Sequence, residues 1–283
     1  INYMRENETE IDPKGHATDL FTEWATEYIR QQSKTPEPFF LYLNYNAPHF
    51  PVQPPREWVG RVKAREKGIS DKRAKLVAFI EHLDDGIGRV IQALKDNGLY
   101  DNTLIVFTSD NGGLLRDGAN NGPLRDGKQS VYEGGLKVPT CMVWKPVIAP
   151  GRVTDYKALS MDLFPTLVQA AGLAVTHHIE GKSFLPLLRG EAQSDKGRPL
   201  FFSRREGNMH YRGLTIQAVQ LDGWKLLQNS PFEPQEWYKL TEDPQEQKNL
   251  ADQNPRKMEE LNALLMEHLQ EAGKVPWQRL ENQ

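Results

Sequence analysis

Three places along this chain carry polar groups that could do chemistry. Asp110 and Asn111 stand side by side after the apolar run 103–109. Two adjacent oxygen donors suit a hard cation such as calcium or magnesium. The string Asp-Asn-Gly-Gly equally suits a plain turn. His49 follows a second apolar run, 39–43, and sits among prolines at 48, 51, 54 and 55. An imidazole there could donate a proton near neutral pH; it could also be an ordinary surface histidine. Lys128 lies in a long glycine-rich segment, 110–135. It could bind an anion or neutralise a leaving oxygen, or it could simply be solvated. Two strand exits and one long loop are places from which polar groups can reach a common crevice, because ligands of open α/β sheets collect beyond the carboxyl ends of the strands.

The elements that must position them can be read from periodicity. Residues 18–31 predict a helix with Leu20, Phe21, Trp24, Ala25, Tyr28 and Ile29 on one side, capped by Thr18 or Asp19. A longer helix carries Leu76, Ile80, Leu83, Ile87, Val90, Ile91 and Leu94 and stops at Asn97-Gly98. The runs 39–43 and 103–109 are apolar at nearly every position, as in strands covered on both faces. A third strand is expected within 138–144 and a short helix over 162–171, stopped by Gly172. The segment 56–75 is polar and basic. Beyond 198 the pattern changes to short strands at 200–203, 213–221 and 224–227, with Asp222-Gly223 as a hairpin signal. Asn254-Pro255 then starts a terminal helix with Met258, Leu261, Leu265 and Leu269 on its buried side. Alternating helix, strand and polar loop predict an α/β layered domain over 1–198. A small α+β subdomain, an antiparallel sheet with a helix, is expected over 199–283.

Composition narrows the function classes. The 283 residues carry 35 basic and 38 acidic side chains, a formal net charge of −3. That balance gives no general electrostatic footprint for nucleic acid, and the apolar runs are far too short to span a membrane. The single cysteine, Cys141, excludes an internal disulfide and a multi-cysteine metal site; its apolar setting predicts a buried core residue. The glycine-rich segment is not a P-loop, since Gly127-Lys128 is followed by Gln129. No His-Glu-x-x-His or Gly-x-Ser-x-Gly motif occurs.

Several strings together resemble the type I, formylglycine-dependent sulfatases, the arylsulfatase-like branch of the alkaline-phosphatase superfamily. They are Phe39-Phe40-Leu41-Tyr42-Leu43 leading to Ala47-Pro48-His49-Phe50-Pro51, Ser109-Asp110-Asn111-Gly112-Gly113, Leu124-Arg125-Asp126-Gly127-Lys128 and Tyr132-Glu133-Gly134-Gly135. Weaker matches are Asp162-Leu163-Phe164-Pro165-Thr166-Leu167 and Trp237-Tyr238-Lys239-Leu240-Thr241-Glu242-Asp243-Pro244. The resemblance implies a sandwich with helices on both faces of a mixed, largely parallel sheet. It implies that Asp110 and Asn111 hold part of a calcium site, with magnesium the second choice. His49 would protonate the departing alcohol, and Lys128 would touch the sulfate and the leaving oxygen.

The family's nucleophile motif, Cys/Ser-x-Pro-x-Arg, is not in this sequence; Cys141 is followed by Met142, Val143, Trp144 and Lys145. The expectation drawn from this is a C-terminal portion of a sulfatase, inactive by itself. The formylglycine and an aspartate pair would lie in a missing N-terminal part acting as its partner. The activity expected of the whole is hydrolysis of a sulfuric ester on a sulfated sugar, a glycosaminoglycan-like chain or an aryl sulfate. The alternatives are a phosphatase or phosphodiesterase of the same superfamily, and a non-catalytic module that binds sulfated glycans. Arg204 and His210, at the start of the smaller subdomain, are candidates for touching the sugar. Trp224 and Lys225 read as structural, Asp84-Asp85 as a solvated helix face. The resemblance also suggests a periplasmic, secreted or lysosomal setting.

Overall fold

The computed structural model describes residues 4–205, 215–251, 253 and 255–274. They divide into two compact units, one formed by 1–105, 116–119 and 142–146, the other by 106–115, 120–141 and 147–283.

The first unit opens with a short antiparallel pair, β1 (Arg5–Glu6) and β2 (Thr9–Glu10). Three helices follow: α1 (Ala17–Gln32), α2 (Arg56–Arg65) and α3 (Asp71–Asp96), with α1 and α2 both packed on α3. The α1 cap is His16, whose side chain accepts from Thr18 N, rather than Thr18 or Asp19. Ser70 caps α3, and Asn97-Gly98 ends it, Gly98 taking φ +69. Burial on α3 falls on Ala74, Leu76, Ala78, Phe79, His82, Gly86 and Leu94, while Ile80 is exposed. The face is shifted from the apolar stripe because α1 and α2 approach α3 closely at small residues. Ala74 and Ala78 meet Val62 of α2. At Gly86 a Cβ would lie 2.7 Å from the Thr22 hydroxyl of α1. The polar segment after Arg56 forms α2, which buries mainly Val62.

In the second unit β5 (Leu200–Arg205), β6 (Thr215–Leu221), β7 (Trp224–Gln228) and β8 (Glu236–Lys239) make an antiparallel sheet in sequence order. Asp222 and Gly223 turn β6 into β7 with φ of +49 and +81, the signature of a type I′ hairpin. Strand alternation divides the side chains cleanly. Val219, Leu221, Leu226 and Trp237 face α7 (Pro255–Gly273), meeting Leu261 and Leu265. Ile216, Ala218, Leu227 and Tyr238 face the other way and pack on Val131 and Tyr132 of the glycine-rich segment. That segment ends in the short helix α4 (Glu133–Leu136). Two further helices, α5 (Leu163–Ala170) and α6 (Leu185–Leu188), complete the unit. Asn254, the expected cap of α7, lies outside the described residues.

The expected sheet is corrected. Strand β3 (Ile105–Phe107) pairs with β4 (Cys141–Val143) as a two-stranded sheet. Residues 39–43 are not assigned as a strand; no neighbour among the described residues gives them a ladder, and Phe40 and Tyr42 are 72% and 77% exposed. Cys141 is exposed rather than in the core: among the described residues its strand pairs with β3 alone, and Cys141 belongs to none of the apolar clusters. The expected fold is corrected in its N-terminal region as well: helices and strands run from Arg5 onward, beginning with β1, β2 and α1, and continue to Gly273.

Candidate active site

Two loops that each carry a candidate are tied together by backbone. After β3 the chain turns through Asp110, exposed, and Asn111, half-buried. Asn111 Nδ2 donates to Gly112 O at 2.9 Å, which commits the amide nitrogen to the turn and leaves the side-chain oxygen as the group able to ligate. Gly112 N then donates to Gly135 O at 2.9 Å, and Lys128 N donates to Gly113 O at 3.1 Å. Asn121 braces the junction: its Oδ1 accepts from Gly113 N, and its Nδ2 donates to Gly113 O and Asp126 O. The approach is so close that a Cβ on Gly112 would stand 1.8 Å from Gly134 O. The need for glycine there is steric. Lys128 is half-exposed between Asp126 and Gln129, two non-glycine residues at φ +58 and +81. Such backbone persists only where surrounding bonds over-determine it.

Arg204, near the end of β5, donates from its guanidinium to the Gln129 carbonyl, one residue beyond Lys128. Thus Asp110, Asn111, Lys128 and Arg204 belong to one loop cluster of the second unit. His210 lies outside the described residues. His49 belongs to the first unit. It is exposed, its N–H donates to Asn46 O at 2.8 Å, and its Nδ1 donates to Phe50 O at 2.8 Å. A carbonyl partner makes Nδ1 the protonated nitrogen, so Nε2 is the position that exchanges a proton with solvent or substrate.

A further set was not visible in the sequence. His16, Asp19 and His82 bring ligand atoms within 4.8 Å of one another, close enough to share a metal ion. His82, nearly fully buried on α3, has its Nε2 3.0 Å from Asp19 Oδ1, while its Nδ1 is buried without a hydrogen-bond partner. His16 Nε2 lies 3.0 Å from Gln53 O, and its ring meets that of His82 edge-on at 4.7 Å. Asp19 and His82 are 63 residues apart, and only the packing of α1 on α3 joins them. The signal available in sequence was a histidine on a helix face otherwise apolar. Two imidazoles and one carboxylate are the donors that borderline ions such as zinc favour, whereas calcium takes oxygen ligands, of which this set offers Asp19 alone; to ligate, His16 would have to give up either the Thr18 N–H that its Nδ1 accepts or the Gln53 carbonyl that its Nε2 faces.

The loop junction thus brings the metal-ligand candidates Asp110 and Asn111 and the candidate Lys128 into one loop cluster. The chain belongs to the sulfatase family: the family model described as Sulfatase matches residues 1–173, and that of the N-sulphoglucosamine sulphohydrolase C-terminal region matches 126–274. A sulfatase of Formosa agariphila is 32% identical over 260 residues, covering 85% of this chain and 47% of that protein. The N-acetylgalactosamine-6-sulfatase of Mus musculus is 33% identical, covering 75% of this chain and 38% of that protein. The chain therefore spans less than half the length of either relative. Among solved structures, Ps i-CgsB in complex with k-i-k-neocarrahexaose superposes with a TM-score of 0.81 at 31% identity, covering 96% of this chain and 57% of that one.

These findings correct four expectations. Against the expectation of a C-terminal portion alone, the Sulfatase model itself matches from residue 1 to 173, and the C-terminal-region model matches only from 126 to 274. The expectation that the remaining metal ligands lie in a missing N-terminal part is corrected by a further set in this chain that could hold a metal ion, His16, Asp19 and His82. The expectations of a fragment inactive for want of ligands, and of an N-terminal partner supplying the rest of them, are corrected on the same ground: a further candidate ligand set is present in this chain. Among the described residues no helix is long and apolar enough to cross a membrane.

Proposed function

We propose that this chain serves a sulfuric-ester hydrolase acting on a sulfated sugar of glycosaminoglycan or algal type. The observation that carries this reading is the junction of the Asp110–Gly113 turn with the Lys128 loop, two sulfatase motifs locked backbone to backbone. In this reading the oxygens of Asp110 and Asn111 hold a divalent cation whose chemistry is to draw charge from the sulfate oxygens. The Lys128 ammonium faces the anion before and during reaction. His49, whose Nδ1 is committed to Phe50 O, gives its Nε2 proton to the departing alcohol oxygen as the sulfur–oxygen bond breaks. Arg204 contacts the sugar near Lys128. The names of the relatives support a carbohydrate sulfate as substrate, and family membership supports a lysosomal or secreted setting.

The test is release of inorganic sulfate from carrageenan- and glycosaminoglycan-derived oligosaccharides by the purified protein, beside an aryl sulfate and the matching aryl phosphate. Sulfate release that falls in Lys128→Ala and Asp110→Ala is expected. Preference for the phosphate ester would replace this reading with phosphoryl transfer, and binding of sulfated glycan without turnover would replace it with a binding module.

A further inference from the structure

The sheet face opposite α7 carries charges that the chemistry above does not use. Lys225, on β7, is 0% exposed. Its Nζ lies 3.0 Å from Glu133 Oε1 and 2.7 Å from Glu246 Oε1, and both glutamates are buried. Glu133 begins α4; its N–H donates to Glu246 Oε2 at 2.7 Å, and Gln220 Nε2, on β6, donates to its Oε1 at 2.7 Å. Burial pushes the Glu246 carboxyl up, and the Lys225 ammonium opposes it. A second anchor is Arg125. It donates to Tyr238 OH and to Glu246 O, both at 2.8 Å, and its guanidinium lies 3.9 Å above the Tyr132 ring. Gly134 N donates to Arg125 O at 2.9 Å, closing the loop on itself. The segment 125–133 is therefore fastened at both ends to one sheet face, with Lys128 between the fastenings.

A buried ion cluster is a poor source of stability, since apolar residues of similar volume often do as well or better. What such a cluster supplies here is direction. Glu133 Oε1 is held by both Lys225 and Gln220 and its N–H by Glu246, so Glu133 can occupy one place on the sheet, and an apolar contact in its stead could slide. Misplacement of a group facing substrate by about 1 Å can cost roughly 100-fold in rate.

We propose that Lys225, with Glu133 and Glu246, is a positioning residue for the loop that carries Lys128. The C-terminal sheet thus sets where the lysine stands during reaction. The inference rests on the reading of Lys128 as the residue that faces sulfate.

The experiment is a double-mutant cycle in the full-length protein, with kcat/KM on an aryl sulfate and amide exchange as readouts. Lys225→Met is expected to fold cooperatively and to lose about tenfold or more in kcat/KM. In a Lys128→Ala background the same substitution should cost less than about threefold, because residues acting through one another are not additive. Exchange should quicken at the amides of Lys128 and Gly134 and stay slow at Val219 and Leu226. Equal factors in both backgrounds would overturn the proposal, since general destabilisation does not depend on Lys128. Should Lys225→Met fail to fold, Glu246→Gln, which keeps shape and removes charge, carries the same cycle with the same outcomes. Full turnover in Lys128→Ala would sink the reading of Lys128 alone. Exchange then decides: quickened loop amides uphold positioning by Lys225, and unchanged ones overturn it.

Discussion

His49 illustrates how much a single hydrogen bond decides. With Nδ1 donating to Phe50 O, the proton available for transfer is the one on Nε2, on a side chain that is exposed. His49→Ala should therefore lower turnover by roughly 100-fold or more, the usual scale for a general acid. The penalty should shrink across a series of aryl sulfates as the leaving phenol becomes more acidic, because such phenols need little protonation. A penalty that is flat across the series would remove His49 from the proton-transfer role. The ligand set His16, Asp19 and His82 makes a separate prediction. After chelator treatment, zinc uptake measured by metal mass spectrometry should fall in His16→Ala and in His82→Ala relative to the parent. Equal uptake in all three proteins would mean that the Asp19–His82 contact is only a hydrogen bond joining α1 to α3.

At the scale of elements, charge is used to fix joints. Asp162, fully buried ahead of α5, accepts two bonds from Arg198 at 2.7 and 2.8 Å, one from Leu159 N and one from Lys182 N. Burial pushes its carboxyl up, but the Arg198 guanidinium and the two backbone N–H groups together hold it below its ordinary value. A carboxyl depressed in the folded state contributes stability that is fully present above its unfolded pKa of about 3.9 and is lost as pH falls through the folded value. Asp162→Asn should thus cost about 3–5 kcal/mol near pH 7, because Arg198 is left buried without its partner. Its denaturation midpoint should fall less steeply than that of the parent below about pH 4. Identical acid profiles would contradict the assignment. The legibility of these elements followed how local their causes are. Periodicity found α1 and α3, and Asp222-Gly223 announced the β6–β7 turn. Helix α2 was hidden because it buries little beyond Val62, and α4 because two of its four residues are glycines held by distant bonds. The Asp110 and Lys128 motifs could be read, but their junction depends on Gly112 meeting Gly134, a contact with no local signature. The partners of Lys225 were equally hidden, since Glu133 and Glu246 lie far from it in sequence.

The molecule as a whole gives the two faces of its antiparallel sheet different duties. One face meets α7 through Val219, Leu221, Leu226 and Trp237, with Leu261 and Leu265 buried against them, a joint whose buried centre is apolar, with His268 stacked on Phe201 and Asn262 bonded to Gln235 as its polar contacts. The other face meets the glycine-rich loop through Lys225, Gln220, Glu236 and Tyr238 as well as apolar contacts. Apolar burial is non-directional and stabilises in proportion to area, whereas hydrogen bonds and ion pairs fix orientation. Stability and loop placement should accordingly be separable by substitution on opposite faces. Leu261→Ala, which opens a cavity under α7, should cost roughly 2–5 kcal/mol in denaturant unfolding, while turnover per folded molecule stays within about twofold of the parent under native conditions. Tyr238→Phe should do the reverse. Its hydroxyl, whose ionisation burial pushes well above the ordinary tyrosine value, accepts from Arg125 and donates to Glu236. Removing it leaves the ring packed and costs about 1 kcal/mol or a little more, yet it frees one fastening of the Lys128 loop and should lower turnover more than Leu261→Ala does. If Leu261→Ala lowers turnover per folded molecule as much as Tyr238→Phe, the sheet transmits strain from one face to the other and the division of duties fails.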